Sequence, residues 1–511
     1  MAAEARRGGV LGHVFTVGGF TAFSRVLGLV REMMQARLIG AGVEQSAFTL
    51  AFAIPNMARK LFGEGALTAA FVPVFKGLVA DGEMDAARRL ARSVLTTVMM
   101  ILGSAVALAL VGLWACGAFL DLSPRAALTI RLVAILFPYM TFICGAAFGM
   151  GVLNALGRFV EGAFMPAMLN VFWIAALAAL CFFPGLSPAA RVTVVCGAIL
   201  LGGAAQMAFL FRCMARKGFS PMPTLAGLHD ERTKLVWRNT AIAAVGAGAV
   251  QINYSLDQVL AQCAAPWAAG VIGYAERLMD LPLGVVGVAF GTVLLPTFAG
   301  LFAKGDEAGV RKTMASSVAN MMFVMLPAAA GMSVLAPEIT SVVYEGHAFD
   351  ATATVRVSRA LAVYAVGLGF FGLQKTLIPW FQAQNDMKTP LRVSVQTVVL
   401  NAALNILAVA LLPQEWRHVG LAASTVVCAA AGCALLAAAA RRRGGRTGLA
   451  SAAPSVAGVL AATAVMTGAL YAVRPSCSDL PPFAALAAEI AVGAAVYLPI
   501  AFAARKKVRV C

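Results

Sequence analysis

The sequence predicts an all-α integral membrane protein of about fourteen transmembrane helices: two parallel six-helix repeats around a central cavity, plus two extra C-terminal helices. Three observations carry that expectation. Of 511 residues, 60% are apolar and only 12% charged, with a mean hydropathy of +0.84. Soluble domains run near 45–50% apolar and about 25% charged. Apolar runs of about 20 residues, the length that crosses a bilayer, recur from end to end. The third observation is an internal repeat at an offset of 223 residues.

The first run, 10–38, follows a basic N-terminus that could suggest a signal peptide. Arg25 interrupts it and no small-x-small cleavage site follows, so it reads as a span. In the second, 45–76, Pro55 should kink the helix and release a backbone carbonyl. Spans at 90–115, 127–156, 161–184 and 192–213 complete an N-terminal six-helix lobe, residues 1–225. A basic linker leads to spans 236–263, 267–302, 313–336, 355–383, 389–413 and 418–440, a C-terminal lobe over 226–447. Residues 448–511 hold two further spans, 452–472 and 481–504, and a basic tail. These two have no repeat partner; simple packing explains them, and so does a lipid-facing groove.

Most Lys and Arg fall in alternate connections, among them Arg88, Arg89 and Arg92, the Arg212–Arg238 cluster, and Arg441 to Arg446. The opposite side holds Arg125, Arg191, Arg356, Arg359, Arg417 and Arg474. The positive-inside rule therefore places both termini in the cytoplasm. The net charge of +17 is spread over these short loops, so it reads as a topology signal and not as a nucleic-acid surface. The ten cysteines show no CxxC, which argues against a metal centre or a disulfide framework. Arg131 and Glu489 stand near span ends, where snorkelling is expected.

The repeat aligns FVPVFKGLVADGEMDAARRLARS (71–93) with LLPTFAGLFAKGDEAGVRKTMAS (294–316). Pro73 matches Pro296, Gly82 and Glu83 match Gly305 and Asp306, and Arg88 with Arg89 match Arg311 with Lys312. Parallel repeats of this kind are a transporter architecture, with the central site between the halves.

Arg25, Arg31, Arg59 and Arg277 lie inside spans. An arginine at a membrane helix centre costs about 2.5–3.5 kcal/mol on insertion scales, so four facing lipid would cost about 10. They are therefore expected to line a watery cavity, and a cationic cavity implies an anionic cargo. Arg25 and Glu32 share a helical face, with Arg31 about 120° away around the axis. Asn56 and Arg59 follow the Pro55 break, while Lys60 and Glu64 form an i,i+4 pair. Glu276 and Asp280 flank Arg277 and could simply neutralise it. Lys375 lies deep in the tenth span. Asp257, Asn401, Asn405 and Thr425 offer the hard oxygen ligands a small cation prefers. Interhelical hydrogen bonding is the reading these residues favour by themselves.

With these residues in view, the chain resembles the MurJ/MviN lipid II flippases of the MOP (MATE-like) superfamily. The resemblance rests on FSRVLGLVRE (23–32), IPNMARKLFGEGALTAAFVP (54–73), YAERLMDLPLGVVGVAFGTVLLP (274–296) and QNDMKTP (384–390). It implies the undecaprenyl-diphosphate-linked peptidoglycan precursor, lipid II, as cargo. The cargo would move from the inner to the outer leaflet of the bacterial cytoplasmic membrane, in cell-wall biosynthesis and the maintenance of cell shape. It also implies substrate contacts at Arg25, Arg31, Arg59 and Arg277, with Asn56 beside them. The family's acid after PNxxRxxFxEG falls on Glu64, its portal acid on Asp280 and its span-ten lysine on Lys375. Ser46 and Ala53 stand where some members have an aspartate and a lysine, so those two roles do not carry over. In a subset of the family a sodium ion is bound at the positions of Asp257, Asn401 and Thr425. Asn405 replaces that subset's second acid, leaving the site one charge poorer.

The expectation is thus a monomeric transporter in contact with membrane lipids, with no nucleic-acid partner and no cofactor beyond a coupling Na+ or H+. The alternatives are a flippase for another polyprenyl-diphosphate-linked oligosaccharide, a MATE-like exporter, a membrane glycan polymerase or an anion channel. An exporter of organic cations would want acids where this chain has arginines, and a polymerase would want acids or histidines on substantial loops.

Overall fold

The computed structural model describes residues 2–60, 66–224, 230–442, 447–477 and 479–509. Every regular element among them is a helix. In chain order these are α1 (Ala2–Ile39), α2 (Val43–Ala58), α3 (Ala66–Ala80), α4 (Met84–Phe119), α5 (Pro124–Ala155), α6 (Val160–Leu180), α7 (Pro188–Arg216) and α8 (Glu231–Ala264). They continue with α9 (Ala268–Ala303), α10 (Glu307–Val334), α11 (Ala336–Tyr344), α12 (Ala351–Val366), α13 (Leu368–Gln382), α14 (Lys388–Leu411), α15 (Gln414–Arg442), α16 (Leu449–Cys477) and α17 (Pro482–Arg509).

Each span read from the sequence coincides with helix in its described residues, and the tenth is bent. The second comprises α2 and α3, with a widened π-type turn at Arg59 and Lys60 one turn beyond Pro55. α2 itself runs through Pro55 to Ala58. The tenth is α12 and α13, bent by 41° at Gly367. Among the described residues, nine helices are long and apolar enough to cross a membrane, ten with the bent pair. By that criterion the count is nine to ten where about fourteen was expected. The helices α1, α8 and α9, at 38, 34 and 36 residues, are nonetheless each about 50 Å or longer at 1.5 Å per residue.

The chain forms two compact units: residues 1–259 with 346–349, and 260–345 with 350–511. The division falls within α8, later in the chain than the 225/226 boundary expected from the repeat. In the first unit α5 is central, packing on α2, α3, α4 and α7, while α6 packs on α1 and α7. In the second unit the α12–α13 pair packs on α9, α10 and α15, while α14 packs on α15. At the repeat offset the packing of the α12–α13 pair mirrors that of α5, with α9, α10 and α15 standing where α2–α3, α4 and α7 do. Local geometry repeats too. Gly82 and Gly305 both turn the chain with positive φ, +78° and +67°. Each is followed by an acidic residue at the N-cap, Glu83 of α4 and Asp306 of α10. Asp306 accepts from Gly309 N at 2.7 Å, satisfying one of the unpaired donors of the first turn.

The two unrepeated helices belong to the second unit. α16 packs on α17 and α10, and α17 also on α11. Their shared apolar cluster includes Leu335, Val459, Met466, Leu470 and Tyr497. Glu489, expected to snorkel, is instead 2% exposed within this packing. A glutamate stem has too few methylenes to reach the helix end once α11 and α16 cover its face.

Candidate functional site

In the first unit the polar residues of α1 fall into two settings. Arg25 is exposed and borders a cleft of about 390 Å³ whose lining includes Ser24, Met150, Asn154, Phe159 and Pro166. The walls are mainly apolar, with one guanidinium, one amide and one hydroxyl at the rim. Such a mixture suits an amphiphile with an anionic end. Arg31 is held differently. Its side chain is only 13% exposed. Nη1 donates to Asn170 Oδ1 at 2.8 Å, Nη2 pairs with Glu32, and the guanidinium lies 4.3 Å from the centroid of the Trp173 ring.

A buried polar seam extends from that point. Asn170 Nδ2 donates to Ser24 O at 3.0 Å, Trp173 Nε1 to Gln35 Oε1 at 2.8 Å, and Gln35 Nε2 to Gln45 Oε1 at 2.9 Å. It ties α1 to α6 and α2 through groups that would each be costly if left unbonded in an apolar surround. Phe48 and Phe52 pack edge-on against Trp173 at 5.5 and 5.6 Å, closing the seam's apolar side. Sequence reasoning named Arg31 but missed Asn170, Trp173, Gln35 and Gln45. An amide and a tryptophan inside apolar runs were the available signal.

Arg59 is half-buried on the π-type turn, where Nε and Nη2 both donate to Asn56 Oδ1 at 3.2 and 3.0 Å. The two residues placed beyond Pro55 by the sequence are therefore brought together. Glu64 lies outside the described residues.

In the second unit Arg277 and Asp280 are exposed on α9. Glu276 is half-buried and accepts from Tyr364 Oη of α12 at 3.3 Å. Lys375 is exposed on α13, between the buried Thr376 and Gln374, whose amide donates to Ala429 O at 2.9 Å. Asn401 and Asn405 are buried and bonded to each other, Asn405 Nδ2 donating to Asn401 Oδ1 at 3.0 Å. Thr425 donates to Leu421 O one turn back. The fourth residue of the expected cation set, Asp257, is half-buried in the part of α8 that belongs to the first unit. No cluster of three or more His, Cys, Asp or Glu suited to a metal occurs among the described residues.

Outside the spans, Glu83 and Arg232 join the α3–α4 turn to the start of α8, Arg232 Nη1 donating at 2.7 Å. That hydrogen bond and the guanidinium charge hold the Glu83 carboxyl below its ordinary range.

Residues 35–480 match the model of a protein family described as lipid II flippase MurJ. The chain belongs to the MurJ family. It is 35% identical to a probable lipid II flippase MurJ of Rhizobium tropici, over 80% of this chain and 76% of that relative. Identity to the lipid II flippase MurJ of Burkholderia cenocepacia is 32%, over 80% of each. Among solved structures, a lipid II flippase MurJ in an inward closed conformation superposes with a TM-score of 0.77 at 21% identity. That superposition covers 95% of this chain and 97% of the other. An inward-facing MATE-family multidrug transporter of the MOP superfamily gives 0.69 at 14% identity, over 82% and 95%. These two show a shared fold; the family rests on the sequence match. With its apolar helices, MurJ membership makes the chain a multi-pass protein of the bacterial inner membrane.

Proposed function

We propose that this protein is a lipid II flippase, carrying the undecaprenyl-diphosphate-linked peptidoglycan precursor from the inner to the outer leaflet by alternating access. The family match over 35–480 carries the reading. The arginines supply its chemistry, because guanidinium groups bind phosphate oxygens through paired donors. Arg25 and Arg277 are both exposed, each in its own unit, and each guanidinium suits a phosphate oxygen. Arg31 and Arg59, each already bonded to an asparagine, add charge at fixed positions. Two compact units that repeat one packing core, about α5 and about the α12–α13 pair, agree with the duplicated architecture of alternating-access transporters. A coupling cation, Na+ or H+, completes the cycle, since moving one charge through the field is worth about 2.3 kcal/mol per 100 mV. Both termini lie in the cytoplasm, by the charge asymmetry of the loops.

The test is depletion in a bacterium that depends on this chain, reading which leaflet holds lipid II. Lipid II is expected to accumulate on the inner leaflet. Arg25→Ala, present in the membrane at wild-type amounts, should fail to clear it. Normal outward movement in depleted cells removes the proposal.

A further inference from the structure

The seam between α17 and its neighbours holds a charge imbalance unconnected with the arginines above. Glu489 of α17 is 2% exposed, and its Oε2 is buried without a hydrogen-bond partner among the described residues. Glu338 of α11 gives one carboxylate oxygen to Arg474 of α16, and its Oε2 is likewise buried without a partner. The charged groups acting on Glu489 are these two, Glu338 and Arg474. Among the described residues no other charge approaches from the packed helices. Glu338 and Arg474 are the lone charged residues of α11 and α16, and those of α10, at Glu307, Arg311 and Lys312, lie in its first two turns. The basic residues of α17 lie at its far end, and Asp479 sits in the exposed turn before it.

Two carboxylates thus face one guanidinium, against an apolar cluster that includes Leu470, Leu486 and Ile339. A buried carboxylate without a donor is expensive, and two sharing a site do not both stay ionised at low cost. One positive charge is missing. Unpartnered carboxylate oxygens are hard donors, suited to a proton or a small alkali ion. Arg474 and Glu338, with side chains 37% and 24% exposed, leave an entry path beside the deep carboxylate.

We propose that Glu489 and Glu338 form a cation-uptake site, taking one proton or one alkali ion where α17 packs on α11 and α16. Occupancy completes the charge balance and tightens α17 onto the second unit. This does not depend on what the protein transports.

The test uses the purified full-length protein and its thermal unfolding midpoint, read against pH in choline chloride and against sodium chloride at alkaline pH. For wild type the midpoint should fall as pH rises in choline, and sodium should restore it if the ion is an alkali cation. Glu489→Gln should lose both responses. Should that variant fail to fold, Glu338→Gln serves instead: it leaves Arg474 balanced by Glu489, so its midpoint should also ignore the cation. Infrared spectroscopy separates the sources. A protonated-carboxyl band at neutral pH that Glu489→Gln lacks assigns a proton. A sodium-dependent midpoint without that band assigns an alkali ion. Neither signal, or the same pH and sodium response in wild type and both variants, overturns the site.

Discussion

Arg31 and Asn170, separated by 139 residues in the chain, are joined by a 2.8 Å hydrogen bond between α1 and α6. The same amide donates to Ser24 O one residue before Arg25. One small side chain therefore fixes both the guanidinium of Arg31 and the stretch of backbone that presents Arg25. The exposed arginine depends on a buried one's partner.

Asn170→Ala is expected to reduce transport while leaving every arginine in place. Arg31 would lose a neutral partner and keep Glu32, and Ser24 O would lose its donor. Hydrogen bonds to charged groups are worth about 1.5–3 kcal/mol, so the unfolding midpoint should also fall. Complementation of a depleted strain, together with a melting curve of the purified variant, checks both. Wild-type values in each would show that the Arg31–Asn170 bond does no positioning.

Trp173 makes two separable contributions, and two substitutions divide them. Trp173→Phe keeps an aromatic face beneath Arg31 but removes the Nε1–H that Gln35 accepts. It should cost about 1–3 kcal/mol for the unsatisfied buried acceptor. Trp173→Leu also removes the cation–π contact, worth about 2 kcal/mol when desolvated, and should be the worse of the two. Equal melting temperatures for the pair would mean that the stacked guanidinium gains nothing from the ring.

Much of this was legible in the sequence, for reasons of range. Gly82 with Glu83 and Gly305 with Asp306 could be matched because a turn and its helix cap are local, so the residues that make them travel together in a repeat. Arg25 and Arg31 announced themselves by their insertion cost, but cost is blind to partners. Nothing local distinguishes Arg25, exposed at a cleft, from Arg31, stacked on a tryptophan 142 positions later in the chain. Glu489 was misread because burial of an acid depends on which helices cover it, and α11 is too short to register as an apolar run.

The Glu83–Arg232 pair should give stability a pH dependence of known sign. Arg232 holds the folded-state pKa of Glu83 below its unfolded value. The stabilisation is therefore fully present above the unfolded carboxylate value and is lost as pH falls through the lowered folded value. Both side chains are well exposed, so the effect is small and sensitive to salt. Glu83→Gln should melt slightly below wild type at neutral pH in low salt, and the gap should close in acid. A gap that widens in acid reverses the assignment.

Among the described glycines of the first unit, Gly40 is the one at which an added β-carbon would come nearest another atom. It follows α1 with φ +80°, a region that costs other residues about 1–2 kcal/mol. A β-carbon there would also lie 2.2 Å from the carbonyl oxygen of Ala348, which is backbone and has no flexible end to withdraw. The same short segment is anchored to α1 by Ala348 N donating to Arg37 O at 3.0 Å, so it has little freedom to yield. Gly40→Ala should therefore lower the unfolding midpoint more than the backbone penalty alone predicts. Gly82→Ala, which shares the positive φ but meets nothing within 4 Å, isolates that penalty as a control. Similar losses for the two glycines would mean that the 346–349 segment moves aside freely, and that its contact with the end of α1 holds nothing in place.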